Sequence, residues 1–220
     1  MRSLSRSTKI SLIATLALLL IAAVVTFILV NQQKTERTVT LDGGAQVLRE
    51  NSHRVDTGPA DGPVLVEFLD FECESCAAAY PFVEELRTTY AGELTYVIRY
   101  FPIPSHQNSM TSALAVEAAA QQGQLEGMYQ MMFDTQLQWG EKTVSQAPLF
   151  RGYAETLGLD MDAFDEAIAD PATEERVSQD FDEGLELGVE GTPTFFLDGE
   201  QVEVTSLEQF TSLVDGAVNG

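Results

Sequence analysis

The chain alternates between apolar runs and amphipathic stretches in an order that predicts its elements. "VLVEFLDF" (Val64 to Phe71) follows the turn cluster "GPADGP" and reads as a buried strand. "SCAAAYPFVEELRTTYAG" reads as a helix that ends at Gly92 and carries a kinking Pro81. "LTYVIRYF" (Leu94 to Phe101) predicts a second strand, stopped by Pro102 and Pro104. A long helical region follows. "NSMTSALAVEAAAQQG" is alanine-rich, and "QLEGMYQMMFDTQ" places Leu125, Met128, Met132 and Phe133 on one face, a core pattern. "QAPLFRGYAETLGL" and "MDAFDEAIAD" predict two shorter helices. "DPATEERVSQDFDEGLELG" opens with Asp170 as N-cap and Pro171 at the first helical position, with Val177, Phe181 and Leu185 as its apolar stripe. "TFFL" and "QVEV" flank Asp198-Gly199, a type I′ hairpin signal. "SLEQFTSLVDGAVNG" closes the chain as a helix, with Ser206 and Gln209 spaced for a capping box. "LRENSHRV", which holds His53, reads as an edge strand.

The N-terminus has a different pattern. Residues 10–30, "ISLIATLALLLIAAVVTFILV", carry no charge and match the roughly 20 residues a helix needs to cross a bilayer. The run exceeds the apolar region of about 7–15 residues usual for a cleavable signal, and "TFILVNQQ" offers no A-x-A site. An uncleaved anchor is therefore expected. Arg2, Arg6 and Lys9 place a cytoplasmic tail at 1–9 and the rest of the chain outside. Residues 31–47 read as a polar stalk and 48–220 as the folded domain, so the protein is expected at the cell membrane, single-pass, with its domain extracytoplasmic.

Charge narrows the partners. The chain carries a formal −22, and residues 1–34 hold four bases and no acid, leaving −26 for the remainder. Such a domain repels phosphate backbones, which excludes nucleic acid. A solvated surface accounts for the acids, and a saline habitat is the second reading.

Only two cysteines are present, Cys73 and Cys76 in "DFECESC". A structural disulfide across so short a loop would add roughly 2 kcal/mol, near the minimum for such a bond. A structural zinc needs four ligands, and the chain's two histidines, His53 and His106, form no ligand pair. The redox reading fits best: C-x-x-C after a strand and opening a helix. The helix N-terminus would stabilise a Cys73 thiolate, and Cys76 is placed to resolve a mixed disulfide. No metal or other cofactor is implied.

Glu67 precedes Cys73 by six residues, Pro81 follows it by eight, and Thr192-Pro193 opens a later strand. With "VEFLDFECESC", "YP" and "GVEGTPTFFLDGE" in this order, the chain resembles the DsbA-like branch of the thioredoxin superfamily. The resemblance implies an α/β thioredoxin fold with a helical insertion at about 105–188, preceded by the transmembrane helix. It implies Cys73 as exposed nucleophile, Cys76 as buried partner and Glu67 as a semi-buried carboxylate moving protons to or from Cys76. It also implies a cis Pro193 facing the cysteines and a client contact through the backbone of Thr192. His53 and His106 are expected to be ordinary strand and loop residues.

The implied activity is thiol–disulfide oxidoreduction that introduces disulfides into reduced secreted or cell-surface proteins. A membrane partner, DsbB-like or VKOR-like by resemblance, would reoxidise the pair. A reductase or isomerase of the same fold is the alternative within that chemistry, although residues 31–47 are short and polar for a dimerisation segment. A chaperone or binding module is the alternative outside it. Strong oxidants of this branch carry histidine before the second cysteine, where this chain has Ser75. Glu72 and Glu74 flank Cys73, and their charge is expected to raise its pKa relative to those oxidants and to favour basic or neutral clients.

Overall fold

The computed structural model describes residues 45–220. The predicted anchor at 10–30, the tail before it and the stalk up to residue 44 lie outside the described residues. Among those described, no helix is long and apolar enough to cross a membrane. Ala45 and Val47, at the end of the expected stalk, are buried, so the packed unit includes them.

Five strands form one mixed sheet: β1 (His53–Asp56), β2 (Val64–Leu69), β3 (Thr95–Tyr100), β4 (Thr194–Leu197) and β5 (Glu200–Val202), in the order β1-β3-β2-β4-β5. β2 and β3 are parallel, joined by the crossover helix α1 (Glu74–Thr89); the other pairs are antiparallel. β2 and β3 are the apolar runs seen in the sequence, and a central position buries both of their faces. Asp198 and Gly199 take φ of 50° and 86°, the left-handed conformations that a type I′ turn demands. β5 begins at Glu200, one residue before the predicted strand.

Between β3 and β4 lies the helical block: α2 (Ser109–Ala120), α3 (Leu125–Asp134), α4 (Gln136–Trp139), α5 (Ala147–Thr156), α6 (Met161–Ala169) and α7 (Pro171–Glu186). The chain ends in α8 (Leu207–Asn219). Asp170 caps α7 through Ala172 N–H, with Pro171 in the first turn, as its sequence predicts. The cap of α8 is displaced from a simple capping box. Ser206 accepts from Gln209 N–H, but the Gln209 side chain reaches back to Thr205 N–H instead of Ser206.

The period-two alternation of the central strands divides the core. Leu65, Leu69, Tyr96, Ile98 and Phe195 face one side, against Val83 and Leu86 of α1, Phe210 and Val214 of α8, and Met128 and Met132 of α3. Val66, Phe68, Val97 and Phe196 face the other, against Ala45, Val47, Leu187 and Val189. Leu185 does not join the stripe predicted for α7; it is exposed, and the helix instead buries Thr173, Val177, Asp180 and Gly184. The reason is Arg99. Its guanidinium points from β3 to the α7 side, fully buried, and meets Asp180 and Glu183. Arg49 and Arg176 join the same Asp180, so α7 docks by an ion cluster as well as by apolar contact.

Candidate active site

Cys73 is the N-cap of α1, with an extended backbone (φ −70°, ψ 122°). The first turn of a helix leaves its N–H groups without backbone partners, and the amides of Ser75 and Cys76 serve the Cys73 sulfur. Ser75 therefore contributes its backbone N–H; its side chain is exposed. Both cysteines are free thiols. Cys73 is 8% exposed and Cys76 1%, so the nucleophile expected to be exposed is itself largely buried and keeps only a small accessible surface.

The Cys73 thiol is pulled down to about 5, chiefly by a hydrogen bond from Cys76, with further support from Thr192 and the two amides; burial opposes the shift. That lies above the ~3.5 of the strongest known oxidant. The Cys76 thiol is pushed well up, first by burial and then by its bond to Cys73 and the charge of Glu67. Two thiols one helical turn apart thus have opposite tendencies: Cys73 ionises, and Cys76 keeps its proton.

Thr192-Pro193 is the cis peptide bond. It precedes β4, and the Thr192 carbonyl accepts from Cys73 Sγ at 3.4 Å. The structure thereby brings Thr192 and Pro193 to the cysteine pair across 119 residues of chain.

Glu67 lies in the middle of β2, 2% exposed, beneath the pair. Burial pushes its carboxyl up to about 8, despite a hydrogen bond from the Tyr96 hydroxyl that favours the ionised form. Tyr96 in turn lies 3.4 Å from the Tyr129 hydroxyl. Arg87 sits over both rings, 5.6 Å and 5.9 Å from their centroids, and pairs with Asp56, Glu84 and Glu126.

The flanking acids differ. Glu74 is exposed, and Glu141 raises its pKa through a shared hydrogen bond and charge. Glu72 is buried, with Oε2 accepting from Asn108 N–H at 2.5 Å. Sequence reasoning placed both acids beside the nucleophile as a charged rim; Glu72 is instead a tie between the cysteine loop and the start of α2.

Other residues that position the site were not anticipated. Asp70 accepts from Glu72 N–H and Ile103 N–H and pairs with His106 Nδ1 at 2.6 Å. Its signal was an Asp two residues before Glu72, the pattern of an Asx turn. Gln136 donates to the carbonyls of Phe71 and Cys73 at 3.0 and 2.8 Å, a tertiary contact with no local signal. Tyr96 could have been suspected as a hydroxyl in a buried strand. His53 pairs with Glu117 at 2.5 Å and His106 with Asp70, structural roles in both cases. Among the described residues no group of His, Cys, Asp and Glu could hold a metal ion.

The comparisons with known proteins bear on the fold. The Thioredoxin family matches residues 50–216. Among curated proteins, Na(+)/H(+) antiporter NhaA 3 of Salinispora tropica is 40% identical over 146 residues, 66% of this chain and 21% of that protein. NhaA of Herminiimonas arsenicoxydans is 36% identical over 146 residues, 66% of this chain and 22% of that protein. The chain thus spans about a fifth of the length of these curated relatives. Among solved structures, α-DsbA1 of Wolbachia pipientis superposes with a TM-score of 0.67 at 20% identity, covering 78% of this chain and 93% of that one. A thioredoxin-like oxidoreductase of Silicibacter pomeroyi gives 0.65 at 24%, covering 82% and 99%. Oxidised BdbD of Bacillus subtilis gives 0.65 at 16%, covering 74% and 91%. At such identities the structural likeness speaks to the fold, a thioredoxin sheet with a DsbA-like helical block. With the family matched across most of its length, the chain belongs to the thioredoxin family.

Proposed function

We propose that this protein is a membrane-anchored, extracytoplasmic thiol–disulfide oxidoreductase that introduces disulfides into secreted or cell-surface proteins. The observation that carries the reading is the opposed pair: a Cys73 thiol pulled down to about 5 at a helix N-terminus, against a buried Cys76 whose neighbour Glu67 titrates near 8. A stabilised Cys73 thiolate favours the reduced state of the pair, which makes the oxidised state a better electron acceptor.

The reaction follows from the geometry. A client thiolate attacks Cys73 Sγ of the oxidised pair. The Cys73–Cys76 bond breaks, and Cys76 leaves with the electron pair and takes a proton from Glu67. A second client thiolate then attacks the client sulfur of the mixed disulfide and expels Cys73 as thiolate. Two client thiols become a disulfide and the protein's disulfide becomes a dithiol. Two electrons and the corresponding protons pass on to a membrane-bound electron acceptor, the DsbB-like or VKOR-like partner. The Thr192 backbone faces Cys73, where it can pair with an extended client. The uncharged run at 10–30 supports the anchor, and its flanking bases support an extracytoplasmic domain, the compartment where disulfides are made.

A second reading is an accessory thioredoxin-fold module of a membrane protein, favoured by the antiporter names of the curated relatives. The reduction potential of the Cys73–Cys76 couple and the activity of a Cys73→Ser variant test both. A potential between about −270 and −120 mV, with oxidation of a dithiol peptide abolished by Cys73→Ser, is expected. A potential at or below about −270 mV would make the protein a reductant. Full cellular function of Cys73→Ser would favour the accessory module.

A further inference from the structure

A polar groove of about 310 Å³ opens directly beside the cysteine loop. Its lining includes Glu72, Glu74, His106, Glu141 and Lys142, three carboxylates against one lysine. Glu72 and Glu74 are the two neighbours of Cys73 in the chain, so the groove lies next to the cysteine loop. His106 is already committed to the buried Asp70. Glu74 and Glu141 come from the helix start and from the turn after α4, and the nearness of Glu141 raises the Glu74 pKa.

Glu72 supplies a second, independent observation. It is 3% exposed and lines the groove, yet its Oε1 is buried with no hydrogen-bond partner among the described residues. A buried carboxylate oxygen left unmatched is costly, and a donor entering the groove would satisfy it.

We propose that this groove is a subsite for a cationic side chain, lysine or arginine, lying within a few residues of the reacting cysteine in the client polypeptide. An ammonium or guanidinium group would donate to Glu72 Oε1 and offset the repulsion between Glu74 and Glu141. Such a group would arrive attached to the client, because two of the groove's lining residues, Glu72 and Glu74, flank Cys73 in sequence. The site thus selects among clients by the residue next to their cysteine. This rests on the oxidoreductase reading and specifies its substrate class.

The test is single-turnover reduction of the full-length protein, oxidised beforehand, by unstructured dithiol peptides at physiological salt. The peptides place lysine, serine or glutamate beside the attacking cysteine. A fourth keeps the same net charge with lysine at the far end. Rates are compared per thiolate. The near-lysine peptide should react about fivefold faster than the serine peptide, the scale of one to two partly screened ion pairs. The far-lysine peptide should show no such gain. The double variant Glu74→Gln/Glu141→Gln, at two exposed positions, should bring the near-lysine advantage toward one, as should Glu72→Gln. Equal rates for near and far lysine, or an advantage untouched by the double variant, would overturn the subsite and leave the oxidoreductase reading standing. Reduction by none of the peptides would instead sink that reading, and the subsite with it.

Discussion

Tyr96 donates its phenolic hydrogen to Glu67 from the neighbouring parallel strand. The register pairs Tyr96 with Leu65, two residues from Glu67 and on the same sheet face, so a diagonal contact places a hydroxyl against a buried carboxyl. That bond lowers the Glu67 pKa while burial raises it, and burial dominates, leaving Glu67 near 8.

Glu67→Gln keeps the shape of the side chain and removes its proton chemistry. Proton exchange at Cys76 should slow by about a hundredfold, at the lower end of general acid–base contributions. The pH profile of the peptide reaction should lose its inflection near 8. An unchanged profile in stopped-flow kinetics would remove Glu67 from the mechanism.

Stability should depend on redox state and pH together. Glu67 is raised in the folded protein from 4.5 to about 8, so the folded state binds more protons in that window. Its contribution is full below about 4.5 and is lost as pH rises through 8. Cys73 is depressed from 9.0 to about 5, so its contribution to the reduced protein is full above about 9 and is lost as pH falls through 5. The two slopes oppose one another between 5 and 8 in the reduced protein. Oxidation removes the Cys73 thiol, so the oxidised protein should lose about 1 kcal/mol per pH unit across that window. Urea denaturation of both states at pH 5 and pH 8 measures the difference; parallel trends would refute it.

Asp180 is fully buried and meets Arg49, Arg99 and Arg176 at 2.5, 2.7 and 2.6 Å. Asp180→Ala leaves buried guanidinium groups short of a counter-charge, a change worth about 3–5 kcal/mol. Thermal and chemical denaturation should show that loss. A cost below about 1 kcal/mol would mean that the cluster reorganises around Glu183.

Gln136→Leu removes both donors to the cysteine loop, at Phe71 and Cys73. About 1–3 kcal/mol of stability should go with them, since the Phe71 carbonyl is left buried. Hydrogen exchange should speed up selectively at residues 70–76. Uniform exchange across the domain would make Gln136 an ordinary core residue.

Gly184 of α7 packs closely against the rings of Phe101 and Phe68. A Cβ there would lie 2.8 Å from the Phe101 ring and 3.1 Å from the Phe68 ring. Gly184→Ala should therefore destabilise by about 1–3 kcal/mol, the range for overpacking, although alanine is the better helix former. A more stable variant in urea denaturation would show that the rings give way.

Much of the site was legible because its signals are local. C-x-x-C at a strand-to-helix junction, the Thr192-Pro193 dipeptide and the Asp198-Gly199 turn each depend on neighbours within a few residues. Glu67 was legible for a related reason, since alternation placed it in a buried strand. Glu72 was misjudged because an acid beside a reactive cysteine reads as surface charge, whereas its burial depends on Asn108, 36 residues away. Leu185 was misjudged because helical periodicity cannot see that Arg99 draws Asp180 to the inner face of α7.

By itself the sequence determined the apolar N-terminal run, the order of strands and helices, and the position of the cysteine pair at a strand-to-helix junction, because periodicity, turn chemistry and cysteine spacing act over short range. Only the tertiary structure decided how the site is tuned. The thiol of Cys73 is low chiefly through a hydrogen bond from Cys76, with Thr192 and the first-turn amides helping, while burial, the bond to Cys73 and the Glu67 charge hold the Cys76 thiol high. Desolvation and hydrogen bonding act through space, and the folded chain brings residue 192 to residue 73.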